Sequence, residues 1–354
     1  MASCFATPFC AAQSATDWAR FSFGNSLLLV FEEWSPAGCW RRGCACFATA
    51  TQAVFTRRNR FNINSVASTK ANVNAATIRR QSKSNLALAF VSLGAERKRD
   101  ITVLYAFCRV VDDIADSAKL SVPEKRACLG KWRQMLRAVV SDEPSLAHDV
   151  RQLMQKYSLP PEMLEEIVAG VEMDLNTQRY STFKELRVYC YRVASAVGLV
   201  SIEIFGYKNP RCREYAIDLG LALQTTNIIR DVWKDFQTGR VYLPQEDLAR
   251  FHYSEADLAQ RQYNDQFLQL MQFQAARAKE FFSRAAAELP AEDRRAMAPA
   301  EIMASIYRAL LRRIELDKFR VFEKEYQLSK PEKAGRITAQ LFKSFLNWPR
   351  RASV

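Results

Sequence analysis

The sequence is poor in three residues that common enzyme architectures require: its 354 residues include 11 glycines, 12 prolines and 2 histidines. So little glycine and proline argues against collagen-like repeats, glycine-rich nucleotide loops and turn-dense all-β folds. The histidines, His148 and His252, stand far apart in unrelated contexts. They offer little material for a histidine-built zinc centre or a Ser-His-Asp relay. No run of about 18 consecutive apolar residues occurs, so membrane association is expected to be peripheral if it occurs at all. Any chemistry must rest on carboxylates, tyrosines and arginines.

What is present describes a globular chain with a sizeable core, at 49% hydrophobic and 25% charged residues. The net charge of +13 is unevenly placed. Residues 1–80 hold nine Lys and Arg against Asp17, Glu32 and Glu33, a balance of +6, and the other +7 is spread over a much longer body. That pattern suits anionic lipid or diphosphate partners as well as it suits nucleic acid, and no nucleic-acid module is recognisable, so nucleic acid is not expected as a partner. Of nine cysteines, five lie in the first 50 residues with the wrong spacing for a zinc knuckle. Cys108, Cys128, Cys190 and Cys212 sit singly in helical patterns and read as buried, reduced thiols.

Residues 1–78 lack a sustained helical period and are rich in Ala, Ser, Thr, Phe and Cys. They read as a disordered extension or an organelle transit segment, and the location is cytoplasmic or, with such a segment, organellar. Residues 79–350 read as one all-α domain. Apolar residues recur at helical spacing in Asp100–Asp116, Pro123–Val140, Pro161–Asn176, Phe183–Phe205, Arg211–Asp235, Glu255–Glu288 and Pro299–Tyr326. Prolines stand at the starts of several of these runs rather than in their middles.

Two of the runs carry polar stripes. Tyr105, Arg109, Asp112 and Asp116 follow one another at offsets of four, three and four, which places all four on one helix face. Asp113 lies one step round. Three carboxylates this close repel one another and call for a positive partner. The second stripe comprises Gln224, Asn227, Arg230, Asp231 and Asp235, with Asn227, Asp231 and Asp235 at intervals of four. Trp233 and Lys234 are expected to face outward. Oxygen ligands of this kind suit a hard divalent ion, which holds few protein carboxylates and fills its shell with water or phosphate. A single Asp-x-x-x-Asp is usually a solvated surface; two such stripes, each with an arginine, are not readily accidental.

These residues resemble the squalene and phytoene synthase family, enzymes that join two prenyl diphosphates head to head. The resemblance runs from about Ser82 to Tyr326. It rests on both stripes, on Gly170-x-Glu172-Met173-Asp174-Leu175 with Tyr180, on Tyr189-Cys190-Tyr191-x-Val193-Ala194-x-x-Val197-Gly198, and on Gly239-Arg240-x-Tyr242-Leu243-Pro244.

The resemblance implies an isoprenoid-synthase-type helical bundle with a central cavity. Asp112, Asp116, Asp231 and Asp235, assisted by Asn227, would hold Mg²⁺, with Mn²⁺ as the alternative, against the diphosphates. Arg109 and Arg230 would grip phosphate oxygens, and Gln224 would contact substrate. Tyr105 and Tyr189 would line the reaction chamber, while Lys83 and Arg240 are weaker candidates for phosphate contact. Ala194, Val197, Gly198, Leu199, Ile202 and Phe205 would supply apolar wall or ordinary core. Family chemistry proceeds through a cyclopropyl diphosphate to presqualene diphosphate and squalene, or to phytoene. The texture around Val197–Tyr207 and Gln245–Phe251 leans towards the bacterial presqualene or squalene type. Whether NADPH is needed stays open, as do a retired, non-catalytic relative and a chain-elongating synthase or terpene cyclase.

Overall fold

The computed structural model describes residues 90–346. Lys83 and the extension assigned to residues 1–78 lie outside them. A 3₁₀ turn at Phe90–Ser92 leads into α1 (Ala95–Asp116), α2 (Val122–Arg137), α3 (Ser145–Lys156), α4 (Pro161–Met173) and α5 (Phe183–Cys190). A π-helical turn, Tyr191–Ser195, joins α5 to α6 (Ala196–Phe205). Then come α7 (Cys212–Gln237), the short α8 (Gln245–Arg250) and α9 (Glu255–Ala259), α10 (Asp265–Glu288), α11 (Ala298–Leu316) and α12 (Lys330–Leu346). Among the described residues the only β pairing is an isolated bridge between Arg179 and Val241.

Local chemistry sets several boundaries. Ser121 caps α2 in a box closed by Glu124, with a proline in the first turn. The Asn264 side chain accepts the Phe267 N–H at the start of α10. The run expected over Glu255–Glu288 therefore splits into α9 and α10. The run expected over Pro299–Tyr326 stops at Leu316, and Lys318 and Phe319 beyond it adopt positive φ of 53° and 56°. Helix α3, unmarked in the sequence reading, packs on α1 and α2.

The core is organised around α7, most of whose residues are buried. Helix α7 packs along α10 and also meets α6, α11 and the π turn. Helix α1 rests on α2, α3, α4 and α6. Phe183–Phe205 is long and apolar enough to cross a membrane by length and composition, but 67% of its apolar window is buried inside the protein, which marks it as a core helix.

Two glycines let the π turn sit deep in this core. A Cβ on Gly170 of α4 would lie 2.7 Å from Arg192 Cβ and 3.0 Å from the Arg192 carbonyl carbon. One on Gly220 of α7 would lie 2.5 Å from Ser195 Cα and 2.6 Å from Ser195 N. The turn is thus wedged between α4 and α7 where only bare backbone leaves room.

Candidate active site

A single ridge of α7 carries the site. Tyr215, Leu219, Leu223, Asn227, Asp231 and Asp235 follow at intervals of four, a row that winds round the helix by about 40° per step, so its polar end points in a different direction from its apolar end. The first three line an apolar cavity with about 660 Å³ of empty space, part of it open to solvent. The last three are buried polar residues. The change from oily to charged occurs between Leu223 and Asn227, a rise of about 6 Å along the helix.

Helix α6 supplies the opposite wall. Ala194, Val197, Gly198, Ile202 and Phe205 line the cavity as the sequence suggested, joined by Phe90 and by Pro299, Ala300 and Met303 of α11. Leu199 does not line it and is buried in the core instead.

Asp112, Asp231 and Asp235 are buried and Asp113 and Asp116 partly so, and guanidinium groups answer several of them. Asp112 is fully buried, and Asp235 nearly so. Arg109 Nε donates to Asp113 Oδ2 at 3.2 Å, one turn along α1. Arg230 forks onto Asp231, with Nη2 to Oδ2 at 2.6 Å and Nε to Oδ1 at 3.0 Å. Arg240 Nη2 reaches Asp116 Oδ1 at 3.4 Å. The backbone N–H of Arg240 donates to the carbonyl oxygen of Asp235 at 3.0 Å. One residue thus ties the last aspartate of the α1 stripe to the last of the α7 stripe, and the two sets converge at the same end of the bundle. Burial pushes the Asp116 carboxyl up, while the Arg240 guanidinium pulls it down.

Asn227 Nδ2 donates to Gln224 Oε1 at 3.2 Å, both side chains buried. Tyr105 is half-buried against the core. Trp233 does not face outward: it stacks on Phe236 with ring centroids 5.6 Å apart, meets Phe322 edge-on, and carries the Arg261 guanidinium 4.1 Å above its ring. A wide indole recovers more by covering apolar neighbours than by standing in water. Lys234 is only half-exposed.

Tyr189 belongs to a buried cluster whose other members, Asp174, Tyr180 and Tyr242, carry no assigned role in the sequence. Asp174 accepts the Tyr242 hydroxyl at 2.8 Å on Oδ1 and the Tyr189 hydroxyl at 3.2 Å on Oδ2. The rings of Tyr189 and Tyr242 stack 5.0 Å apart, and Tyr180 lies 5.6 Å from Tyr189. The Tyr180 hydroxyl is buried with no hydrogen-bond partner. Burial, and then the charge of Asp174, pushes Tyr189 and Tyr242 well above the ordinary tyrosine value. Both hydroxyls therefore act as neutral dipoles and not as phenolate bases. Asp174 and Tyr242 stood in the quoted motifs, but their link spans 68 residues and could not be read from spacing.

Among the described residues no three side chains of His, Cys, Asp or Glu form a ready metal cage. Mg²⁺ asks for less, since it is bound through one or two carboxylates together with phosphate oxygens and water. The all-oxygen donor set of the two stripes fits it on that basis.

A helical bundle with an apolar cavity along α7 and with carboxylate stripes on α1 and α7 linked through Arg240 has the architecture of a prenyltransferase of the isoprenoid-synthase kind. The family model for squalene/phytoene synthase matches residues 78–332, and the chain belongs to that family. It is 35% identical over 253 residues to 15-cis-phytoene synthase of Synechocystis sp., covering 67% of this chain and 74% of the relative. It is 31% identical to chloroplastic phytoene synthase 1 of Solanum lycopersicum over 73% of this chain and 65% of the relative. A dehydrosqualene synthase solved with a ligand superposes with a TM-score of 0.66 at 26% identity, covering 77% of this chain and 94% of that one. A squalene synthase from Alicyclobacillus acidocaldarius shares the fold, with a TM-score of 0.62 at 22% identity, over 71% of this chain and 96% of the other. The activity is head-to-head condensation of prenyl diphosphates.

Proposed function

We propose that the chain condenses two molecules of geranylgeranyl diphosphate, through a cyclopropyl diphosphate, to phytoene, with Mg²⁺ at the two stripes. The observation that carries this reading is the α7 ridge, which passes from cavity wall at Leu223 to buried carboxylate at Asp231 in just over two turns. The phytoene synthase names of the relatives favour the C40 product over the presqualene or squalene lean drawn from sequence texture.

When bound, Mg²⁺ would neutralise diphosphate charge and make it a better leaving group. Asp112, Asp116, Asp231 and Asp235, with Asn227, would hold it. Arg109 and Arg230 have forked N–H groups for phosphate oxygens, and Gln224 orients Asn227. Leu219, Leu223, Val197 and Ile202 keep water from the allylic cation, and Tyr105 turns its dipole to the charge as it develops, whereas Tyr189, expected to line the chamber, is fully buried with its hydroxyl committed to Asp174. A peripheral position at a membrane belongs to the same reading, because the hydrocarbon product needs an apolar sink. Purified protein incubated with Mg²⁺ and either farnesyl or geranylgeranyl diphosphate, with and without NADPH, tests it. A C40 hydrocarbon from the longer substrate without NADPH is expected; a C30 product, or no turnover, would sink it. Asp112→Asn and Asp231→Asn should each abolish turnover with helix content unchanged.

A further inference from the structure

Arg240 feels two negative groups, Asp116 and Asp174. In front of it lies Asp116, at 3.4 Å, on the carboxylate stripe. Behind it lies the Asp174 carboxylate, clamped by the hydroxyls of Tyr189 and Tyr242 and acting on Arg240 through its charge. The backbone of Arg240 is fixed as well, by its bond to the Asp235 carbonyl and by the turn at Gly239, whose φ is +84°. The side chain is mostly enclosed, at 13% exposure.

We propose that Arg240 is an internal stand-in cation: in the free protein it occupies Asp116, and when metal and diphosphate arrive it releases that carboxylate and turns its freed N–H groups to the phosphate, held from behind by Asp174. This rests on the stripes being a metal–diphosphate site. The physical need is clear, since carboxylates enclosed in the protein carry a desolvation cost unless a positive group answers them. A guanidinium serves both states because its planar fork can face a carboxylate and a phosphate in turn. The Tyr189–Tyr242–Asp174 cluster makes Asp174 a positioning residue for Arg240 and not a metal ligand.

The proposal predicts effects of opposite sign, which a merely structural role would not produce. Mn²⁺ binding to the full chain is followed by electron paramagnetic resonance for wild type, Arg240→Gln and Arg240→Lys, first with metal alone and then with inorganic pyrophosphate. With metal alone Arg240→Gln is expected to bind about fivefold more tightly than wild type, because the cation in direct contact with Asp116 is gone and only the more distant charges of Lys125 and Arg109 remain. With pyrophosphate present the order reverses, and the same variant binds about fivefold more weakly. Arg240→Lys, whose single ammonium cannot face Asp116 and Asp174 together, shows the same crossing at smaller size and carries the test if the glutamine variant does not fold. Shifts of the same sign in both conditions, or no shift in either, overturn the proposal. If wild type binds no Mn²⁺ even with pyrophosphate, the reading of the stripes fails along with it.

Discussion

Gly220→Ala probes the contact on which the chamber depends. The added Cβ would stand 2.5 Å from Ser195 Cα, 2.6 Å from its nitrogen and 2.7 Å from its Oγ. Two of these are backbone atoms, so no rotamer change relieves the clash. Overpacking of this kind costs up to about 3 kcal/mol. Alanine returns about 1 kcal/mol of helix propensity, which leaves a net loss of about 2 kcal/mol. For a domain of this size the melting temperature should fall by roughly 4 to 8 °C. Gly130→Ala in α2 is the matched control, because nothing lies within 4 Å of its Cβ position. It keeps the propensity gain without the clash and should raise the midpoint by roughly 2 to 4 °C. Thermal unfolding followed by circular dichroism measures both. Moving α7 off the π turn also moves Leu223 and Asn227, so kcat of Gly220→Ala should drop well below its melting range. If Gly220→Ala melts at or above wild type, α7 and the π turn do not meet as described, and the chamber wall is misplaced.

Burial pushes the thiols of Cys190 and Cys212 up to about 12 and that of Cys108 higher still. None of the three should be alkylated by iodoacetamide in the native protein at neutral pH, and all should react after unfolding; mass spectrometry showing native modification of Cys190 would contradict its burial. Glu332 is held down to about 2, chiefly by the Ser329 hydroxyl and backbone N–H, with Arg313 adding to it. Its folded value lies below its unfolded one, so its contribution is complete above about pH 4.5 and is lost as pH falls towards 2. Hydrogen-exchange protection of α12 should therefore decline between about pH 4.5 and 2, and Glu332→Gln should flatten that decline.

The parts legible in sequence are those that a helical period fixes without help. Offsets of four put Asn227, Asp231 and Asp235 on one ridge whatever surrounds them, and five of six wall residues followed from the motif around Val197. The π turn was not legible, because one extra residue in a turn leaves the apolar pattern of Phe183–Phe205 intact; its cause lies in Gly170 and Gly220, on two other helices. The break between α9 and α10 had a local signal in Asn264, the N-cap of α10, which longer periodicity masked. Trp233 was read as outward because its partners Phe322 and Arg261 come from distant segments. Asp174 is the same case, with hydroxyl partners 15 and 68 residues away.

The burial of the acidic groups bears on why the site is built this way. Asp112, Asp231, Asp235 and Asp174 are all less than a tenth exposed. A buried ion pair seldom adds stability over a well-packed apolar substitute, and a buried charge stripped of its partner is costly. Fold stability alone therefore gives no reason to keep these carboxylates inside. The guanidinium contacts of Arg230 to Asp231 and Arg240 to Asp116 make their retention tolerable in the free protein. The same contacts set the terms of substrate entry. On the proposed reading, phosphate arriving with a divalent ion would replace each arginine–aspartate contact by a metal–carboxylate and an arginine–phosphate contact, so buried charge would stay answered throughout. A site wired in this way would exclude water from the cation without leaving bare carboxylates in a dry chamber before the substrate is there.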